Sequence, residues 1–295
     1  MTLMKYTYCG ITFKSNIKFP FFYESGKEEF DYEIYYSETD FMSHYEAAKD
    51  TFAVQDQTYY LYFKDKGFYE ITKEKMVCHF SDIQYMYATI CNLPFSVIAL
   101  LKKAVPFHAS SIVIRDKGAI IFLGDKGIGK TTISSLLDDS GLCNAYGDDM
   151  VTCVNSFSQI MVNRGSKFMK VTGQTAKFLE RNRLLDDVYY GLEKRYYLIN
   201  TDDDIKENTA LYKIFVLERG KNSEYKILPK SAACCVLIHN IVGVSLLEQF
   251  MTREIKAAIR MIENVNVYKL TVLDSIDKMY LNRESILKLI CDGGL

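Results

Sequence analysis

The apolar run Ile120-Ile121-Phe122-Leu123, followed at once by Gly124-Asp125-Lys126-Gly127-Ile128-Gly129-Lys130-Thr131, constrains this chain more than anything else in it. A strand, then G-x-x-x-x-G-K-[ST], then a helix is the context in which a loop wraps a phosphate. The glycines permit a compact turn whose successive backbone N–H groups converge on an anion. Lys130 would reach the terminal phosphates of a nucleoside triphosphate, and the Thr131 hydroxyl would hold Mg²⁺. The helix predicted from Thr131 to Leu137 would aim its partly positive N-terminus at the same charge. The expected nucleotide-binding set therefore runs from Gly124 through Thr132. At average residue frequencies the bare pattern arises by accident in about 1 in 100 chains of this length. The flanking strand and helix lower that further.

Composition excludes several other classes. A chain of 295 residues has room for two domains, and its 48% hydrophobic and 25% charged content is that of a soluble globular protein. A formal net charge of −1 supplies no overall basic field to attract nucleic acid or an anionic membrane. The opening residues MTLMKYTYCG lack the apolar core of a signal peptide, and no apolar stretch is long enough to span a bilayer. The eight cysteines include no C-x-x-C pair, so reduced, mostly buried thiols in a cytoplasmic protein are expected. The acidic run Thr201-Asp202-Asp203-Asp204 reads as a solvated loop.

Two regions differ in hydrophobic period. Residues 1–84 read as a small β-rich module, with strands at Tyr6 to Ile17 and Asp31 to Tyr36. Tyr59 to Phe63 and Phe68 to Thr72 form a hairpin through Lys64-Asp65-Lys66-Gly67. A short helix is predicted between them, from Glu38 to Lys49. His44 and His79 stand alone and read as surface or packed residues. From Ser81 the period becomes helical: Asp82 to Leu101 forms a helix with Ser81 as N-cap and Pro94 as a kink or break. Residues 85–295 form the phosphate-loop domain. In it, Phe107 to Ile114 is a strand, Arg115 to Gly118 a turn and Ala119 to Leu123 the strand that feeds the loop. Most phosphate-loop proteins are doubly wound parallel sheets, so a hairpin entering the loop predicts a mixed sheet. Further strands are expected at Asn144 to Val154, Tyr196 to Ile199, Leu211 to Glu218, Glu224 to Leu228 and Val267 to Val272. Helices are expected at Ala232 to Phe250, Thr252 to Glu263 and Asn282 to Cys291.

The order of these features carries a family resemblance. Phe107-His108-Ala109-Ser110 places its histidine sixteen residues before the loop, and Asp148-Asp149 begins eighteen residues after Lys130. A strand with histidine, a Gly turn, GDKGIGKTT and an Asp-Asp strand together resemble HPr kinase and its relatives, which share a fold with ATP-dependent phosphoenolpyruvate carboxykinase. Lys194-Arg195, Val216-Leu217-Glu218-Arg219 and Val267-Tyr268-Lys269-Leu270 also match loosely, so the resemblance spans roughly residues 85 to 295. The chain departs from the bifunctional HPr kinase/phosphorylase in three ways. Thr132 stands where that enzyme has an acidic residue, a further Gly-rich signature segment is missing, and the N-terminal module differs. It is more similar to HPr-kinase-related proteins with a β-rich leader, some of which phosphorylate a serine in peptide natural-product pathways. The fold implied is α/β, a mixed-sheet kinase domain of the HPr kinase/phosphoenolpyruvate carboxykinase type behind a small β-rich domain. HPr kinases are multimers, which carries over as an expectation of homo-oligomerisation.

Phosphoryl transfer needs a held triphosphate, neutralised charge, and an aligned acceptor hydroxyl that loses its proton. Gly127, Gly129 and Lys130 answer the first need, and Thr131 with one aspartate through Mg²⁺ the second. The other aspartate is free to take the proton. Adjacent residues of a strand face opposite ways, so using both requires a bend, which Gly147 could supply. The resemblance implies Asp148 as base and Asp149 as metal ligand, with the reverse also open. His108 would lie near the phosphates, hydrogen-bond the base, or simply pack in the core. Arg164, Lys167 and Lys170 are placed for substrate or phosphate contacts but read also as exposed charges, and Lys194 or Arg195 could stabilise the transferred phosphoryl. The expected activity is an ATP- and Mg²⁺-dependent kinase acting on a serine or threonine hydroxyl of a peptide, protein or free amino acid. The alternative is a nucleotide-regulated peptide-binding protein without transfer. A switch GTPase is disfavoured because no N-K-x-D segment is present.

Overall fold

The computed structural model describes residues 3–38, 51–156, 159–188, 194–200, 205–243 and 247–291. The helix expected between Glu38 and Lys49, the lone His44 and the acidic run at 201–204 lie outside those residues, apart from Glu38.

Eight strands build the first sheet: β1 (Met4–Tyr8), β2 (Ile11–Ser15), β3 (Tyr23–Glu24), β4 (Tyr32–Ser37), β5 (Phe52–Gln55), β6 (Thr58–Phe63), β7 (Gly67–Ile71) and β8 (Lys75–Phe80). Their order is β3-β1-β2-β4-β8-β7-β6-β5. The run from Tyr6 to Ile17 is two strands rather than one. Cys9 and Gly10, at φ 52° and 78°, turn it back as a hairpin whose twist matches its arms. The expected hairpin of β6 and β7 forms, with Phe63 opposite Gly67. Alternation along β6 sends Tyr59 and Leu61 inward. The core beneath is aromatic: Tyr6, Tyr8, Phe13, Phe19 and Phe22 meet in edge-to-face and tilted pairs and reach Phe95 of the following helices.

Those helices are α1 (Ile83–Thr89) and α2 (Leu93–Leu101), bent by 57° at the break between them. Asp82, not Ser81, is the N-cap; its carboxylate accepts from Gln84 N–H at 2.8 Å. Pro94 sits in the first turn of α2, where its missing N–H costs nothing, so it starts a helix instead of kinking one. Pro94 to Leu100 are all buried, because α2 packs against β7 of the first sheet and β9 (Val105–Phe107) of the second. That explains a helix apolar on every face. No single helix among the described residues is long and apolar enough to cross a membrane.

The second sheet is mixed, as the hairpin entering the loop predicts. Its remaining strands are β10 (Ser110–Ile114), β11 (Gly118–Leu123), β12 (Asn144–Gly147), β13 (Val151–Ser156), β14 (Gln159–Asn163), β18 (Asn208–Gly220), β19 (Glu224–Ile227) and β20 (Val267–Leu273). A separate three-stranded sheet, ordered β15-β17-β16, holds β15 (Phe168–Thr172), β16 (Leu184–Val188) and β17 (Lys194–Leu198). β11 is parallel to β18 and antiparallel to β10, while β18 is also parallel to β20. Both faces of β11 are covered. Ile120 and Phe122 pack with α3 (Lys130–Asp139), α7 (Ile276–Leu281) and α8 (Arg283–Cys291). Ala119, Ile121 and Leu123 pack with α5 (Lys230–His239) and α6 (Glu248–Asn264). Burial on both faces is why this strand reads as an unbroken apolar run. The short α4 (Gly173–Ala176) follows β15.

Three further expected elements are divided. Phe107 to Ile114 splits at His108-Ala109 into β9, which pairs with β13, and β10, which pairs with β11 and β12. Asn144 to Val154 splits at Asp148–Met150 into β12 and β13. The helix predicted from Ala232 to Phe250 ends at His239; Asn240 and Gly243, the latter at φ 79°, turn the chain before α6 begins.

The turn between β10 and β11 has one steric demand. Gly118 has φ 117°, and an added Cβ would lie 2.4 Å from the carbonyl oxygen of Ala210 on the neighbouring β18. Gly118→Ala is expected to cost about 2 kcal/mol or more of folding free energy, measured by urea unfolding. A loss under about 0.5 kcal/mol would show that this turn relaxes freely.

Candidate active site

The loop after β11 turns through Gly124, Gly127 and Gly129, at φ 135°, 87° and 114°, and ends where α3 begins. Lys130 is buried and curls back over the loop, donating to the carbonyls of Gly124 at 2.7 Å and Asp125 at 3.2 Å. Burial lowers its proton affinity, against the nearby charges of Asp148, Asp149 and Asp125. The Thr132 hydroxyl faces away, to that of Thr175 at 3.1 Å.

Thr131 donates to Asp148 Oδ1 at 2.8 Å, and the backbone N–H of Lys170 donates to Oδ2 at 3.2 Å. Asp149 Oδ2 is paired with Lys170 Nζ at 3.2 Å. Both carboxylates reach one place because the backbone bends between β12 and β13. The bend is at Asp149, whose φ is 62°; Gly147 does not take the left-handed conformation. The N–H of Met150 closes the bend on the Asp148 carbonyl at 2.7 Å. His108 Nδ1 lies 3.2 Å from the Asp149 carbonyl oxygen, and its own N–H donates to the Asn240 carbonyl at 2.8 Å. The histidine thus braces the bend and does not touch either carboxylate in this arrangement.

Electrostatics separate the two acids. Burial, then the charge of Asp149, raises the Asp148 carboxyl to about 7. Burial also works against ionisation of Asp149, but Lys170, Lys194 and His108 overcome it and hold that carboxyl below its usual range. Burial, then Lys130, lowers the proton affinity of His108.

Lys194 acts on Asp148, Asp149, His108 and Lys130 alike. It shares a face of β17 with Tyr196, across from Thr172 and Lys170 of β15. Arg195 points the other way and is exposed. Arg164 is directed elsewhere too: its guanidinium stacks 3.9 Å from the Tyr23 ring and donates to the Ile205 carbonyl at 3.3 Å. Lys170 lies closest to the pair, yet in sequence it is one of several bland charges. Its backbone N–H on Asp148 and its ammonium on Asp149 distinguish it.

Asp148 and Asp149 line a narrow cleft. Ser166, Phe168, Lys170 and Tyr196 form one wall; Phe21, Tyr87 and Cys91, from the first sheet and its helices, form the other. The two halves are tied beside it. Lys167 N–H donates to the Phe21 carbonyl at 2.9 Å, Cys9 N–H to the Arg164 carbonyl at 2.9 Å, and the Thr152 hydroxyl to the Cys9 carbonyl at 3.1 Å.

The described residues contain no group of three or more His, Cys, Asp or Glu able to hold a metal by themselves. Thr131 and a carboxylate 2.8 Å apart do fit Mg²⁺, which takes one or two protein oxygens and completes its shell with substrate phosphates and water. No family model and no curated protein matches the sequence. Among solved structures the chain is similar to the Hpr(Ser) kinase/phosphatase from Coxiella burnetii, at 17% identity and a TM-score of 0.34, over 62% of this chain and 93% of that one.

Proposed function

We propose that this chain is an ATP- and Mg²⁺-dependent kinase of the HPr kinase/phosphoenolpyruvate carboxykinase type, transferring the γ-phosphoryl group to a serine or threonine hydroxyl of a peptide, protein or amino acid. The observation that carries this reading is the convergence of the loop hydroxyl Thr131, the Asp148–Asp149 pair and an aromatic cleft at one point. A nucleotide-binding loop alone needs neither the second aspartate nor a cleft beside it.

The bond from Thr131 to Asp148 favours Asp148 as its partner at the metal, the reverse of the assignment the family resemblance implies. Asp148 is also the more deeply buried acid, and it accepts hydrogen bonds from Thr131 and the backbone N–H of Lys170. When bound, Mg²⁺ neutralises phosphate charge there. Asp149 is the more accessible acid, so it would orient the acceptor hydroxyl and take its proton. The acceptor oxygen forms a bond to the γ-phosphorus as the bond to the ADP oxygen breaks. Lys170 fixes the direction of Asp149, and Lys130 with Lys194 opposes the charge of the transferred group. The N-terminal module supplies Phe21, and the helix that follows it Tyr87, as the far wall, so the module would help select the acceptor.

The test is titration of wild type and Lys130→Ala with ATP and Mg²⁺, paired with radiolabelled transfer to free serine, free threonine and serine peptides. Wild type should bind and transfer; the variant should bind at least about tenfold more weakly and transfer nothing. Binding without transfer to any acceptor would make the chain a nucleotide-regulated binder. Absence of ATP binding by wild type would overturn the reading entirely.

A further inference from the structure

The sheet divides the surroundings of the loop into two sides. Its local order, β12-β10-β11-β18 and then β20, puts the loop strand β11 in the middle. Asp148 and Asp149 lie on the β12 side, where the phosphoryl group is transferred. The rest of the nucleotide must leave on the other side, over the C-terminal ends of the parallel strands β18 and β20. Ligands of open α/β sheets occupy that position for the same topological reason.

Arg219, next to the last residue of β18, stands there. An added Cβ on Gly129 would come within 2.8 Å of its Nη2, so the guanidinium lies directly against the last glycine of the loop. Its Nη1 donates at 2.9 Å to the carbonyl of Leu273, the last residue of β20, and lies 3.8 Å from Met279 Sδ. One edge of the fork is thereby fixed and the other lies beside the loop. Of the neighbouring acids, only Asp274 acts on that charge, and each has another partner. Glu218 is paired with Lys269 and accepts from Thr271 at 2.8 Å, and Asp274 is paired with Lys278 at 3.1 Å.

We infer that Arg219 is a phosphate-contacting residue at the nucleoside end of the loop, placed to bind the α-phosphate of a nucleoside di- or triphosphate. This rests on the nucleotide-binding reading above. A planar, permanently charged fork with one edge anchored suits a phosphate better than a mobile ammonium.

The experiment measures Mg²⁺·ADP binding to full-length wild type, Arg219→Met and Arg219→Lys, with ³¹P NMR of the bound ADP. Arg219→Met should raise the ADP Kd about tenfold, and Arg219→Lys should recover part of that loss. The α-phosphorus resonance of bound ADP should move in Arg219→Met while the β resonance stays in place. An unchanged Kd would overturn the inference. So would a weaker Kd in which both resonances move together, because that would mean Arg219 merely shapes the loop by packing on Gly129. In either case wild-type ADP binding leaves the nucleotide reading intact; if wild type binds no ADP, both fail.

Discussion

Asp149→Asn is expected to slow phosphoryl transfer by roughly 10²–10⁴-fold, the usual worth of a positioned general base, with ATP affinity almost unchanged. The amide keeps the shape of the side chain but cannot take a proton, and it no longer pairs with Lys170, now 3.2 Å from the carboxylate. Asp148→Asn should behave differently. Its carboxylate accepts from Thr131, so its loss should raise the Mg²⁺ concentration needed for half-maximal rate, and excess Mg²⁺ should restore part of the activity. Single-turnover transfer from labelled ATP, titrated with Mg²⁺ for both variants, separates the two. If Asp149→Asn shifts the Mg²⁺ requirement and Asp148→Asn does not, the roles are exchanged and Asp148 is the base.

The second large effect concerns stability. Asp138, at the C-terminal end of α3, is completely buried. A carboxylate there opposes the helix dipole, so its retention must come from its partners. It accepts from Ala145 N–H at 2.6 Å, from Asn200 N–H at 3.1 Å and from the Tyr197 hydroxyl at 3.0 Å, and it pairs with Arg183. One side chain thus ties the loop helix to β12, to β17 and to the turn at Arg181–Arg183. Asp138→Ala would leave Arg183 and two backbone N–H groups without their acceptor, at an expected cost of about 3–5 kcal/mol. Asp138→Asn keeps one acceptor oxygen and should cost less. Denaturant unfolding of the three proteins, with ADP binding as a check on the loop, measures this. A loss below about 1 kcal/mol for Asp138→Ala would show that water replaces the carboxylate, and that the network does not support α3.

The glycine loop, the strand feeding it, the mixed character of the sheet and the β6–β7 hairpin are legible in the sequence because each is a local matter. Residues 118–131 specify their own backbone through glycine conformations, a two-sided apolar strand and a helix start, all within a few residues. Element boundaries were less legible where one apolar run serves two neighbours. Phe107 to Ile114 looks continuous, yet it divides at His108 because β9 and β10 pair with different strands. Helix α2 would have been uniformly apolar in either of several settings; only its position against both sheets says why.

The site shows the same division. Gly124 to Thr132 and the Asp-Asp pair could be singled out from sequence as the candidate site, since those residue types at those spacings have few other uses. Which cations join them could not. Lys170 and Lys194 converge on the aspartates, whereas Arg164 and Arg195, equally basic and nearby in sequence, do not. Phe21 and Tyr87 reach the cleft from more than sixty residues away along the chain. Strand order and register decide these meetings, and they follow from burying apolar faces that many arrangements of the same residues would satisfy. The chain by itself therefore determined the loop, through contiguous backbone geometry. The tertiary structure alone decided which distant charges and rings surround it, because only packing brings them within reach of that loop.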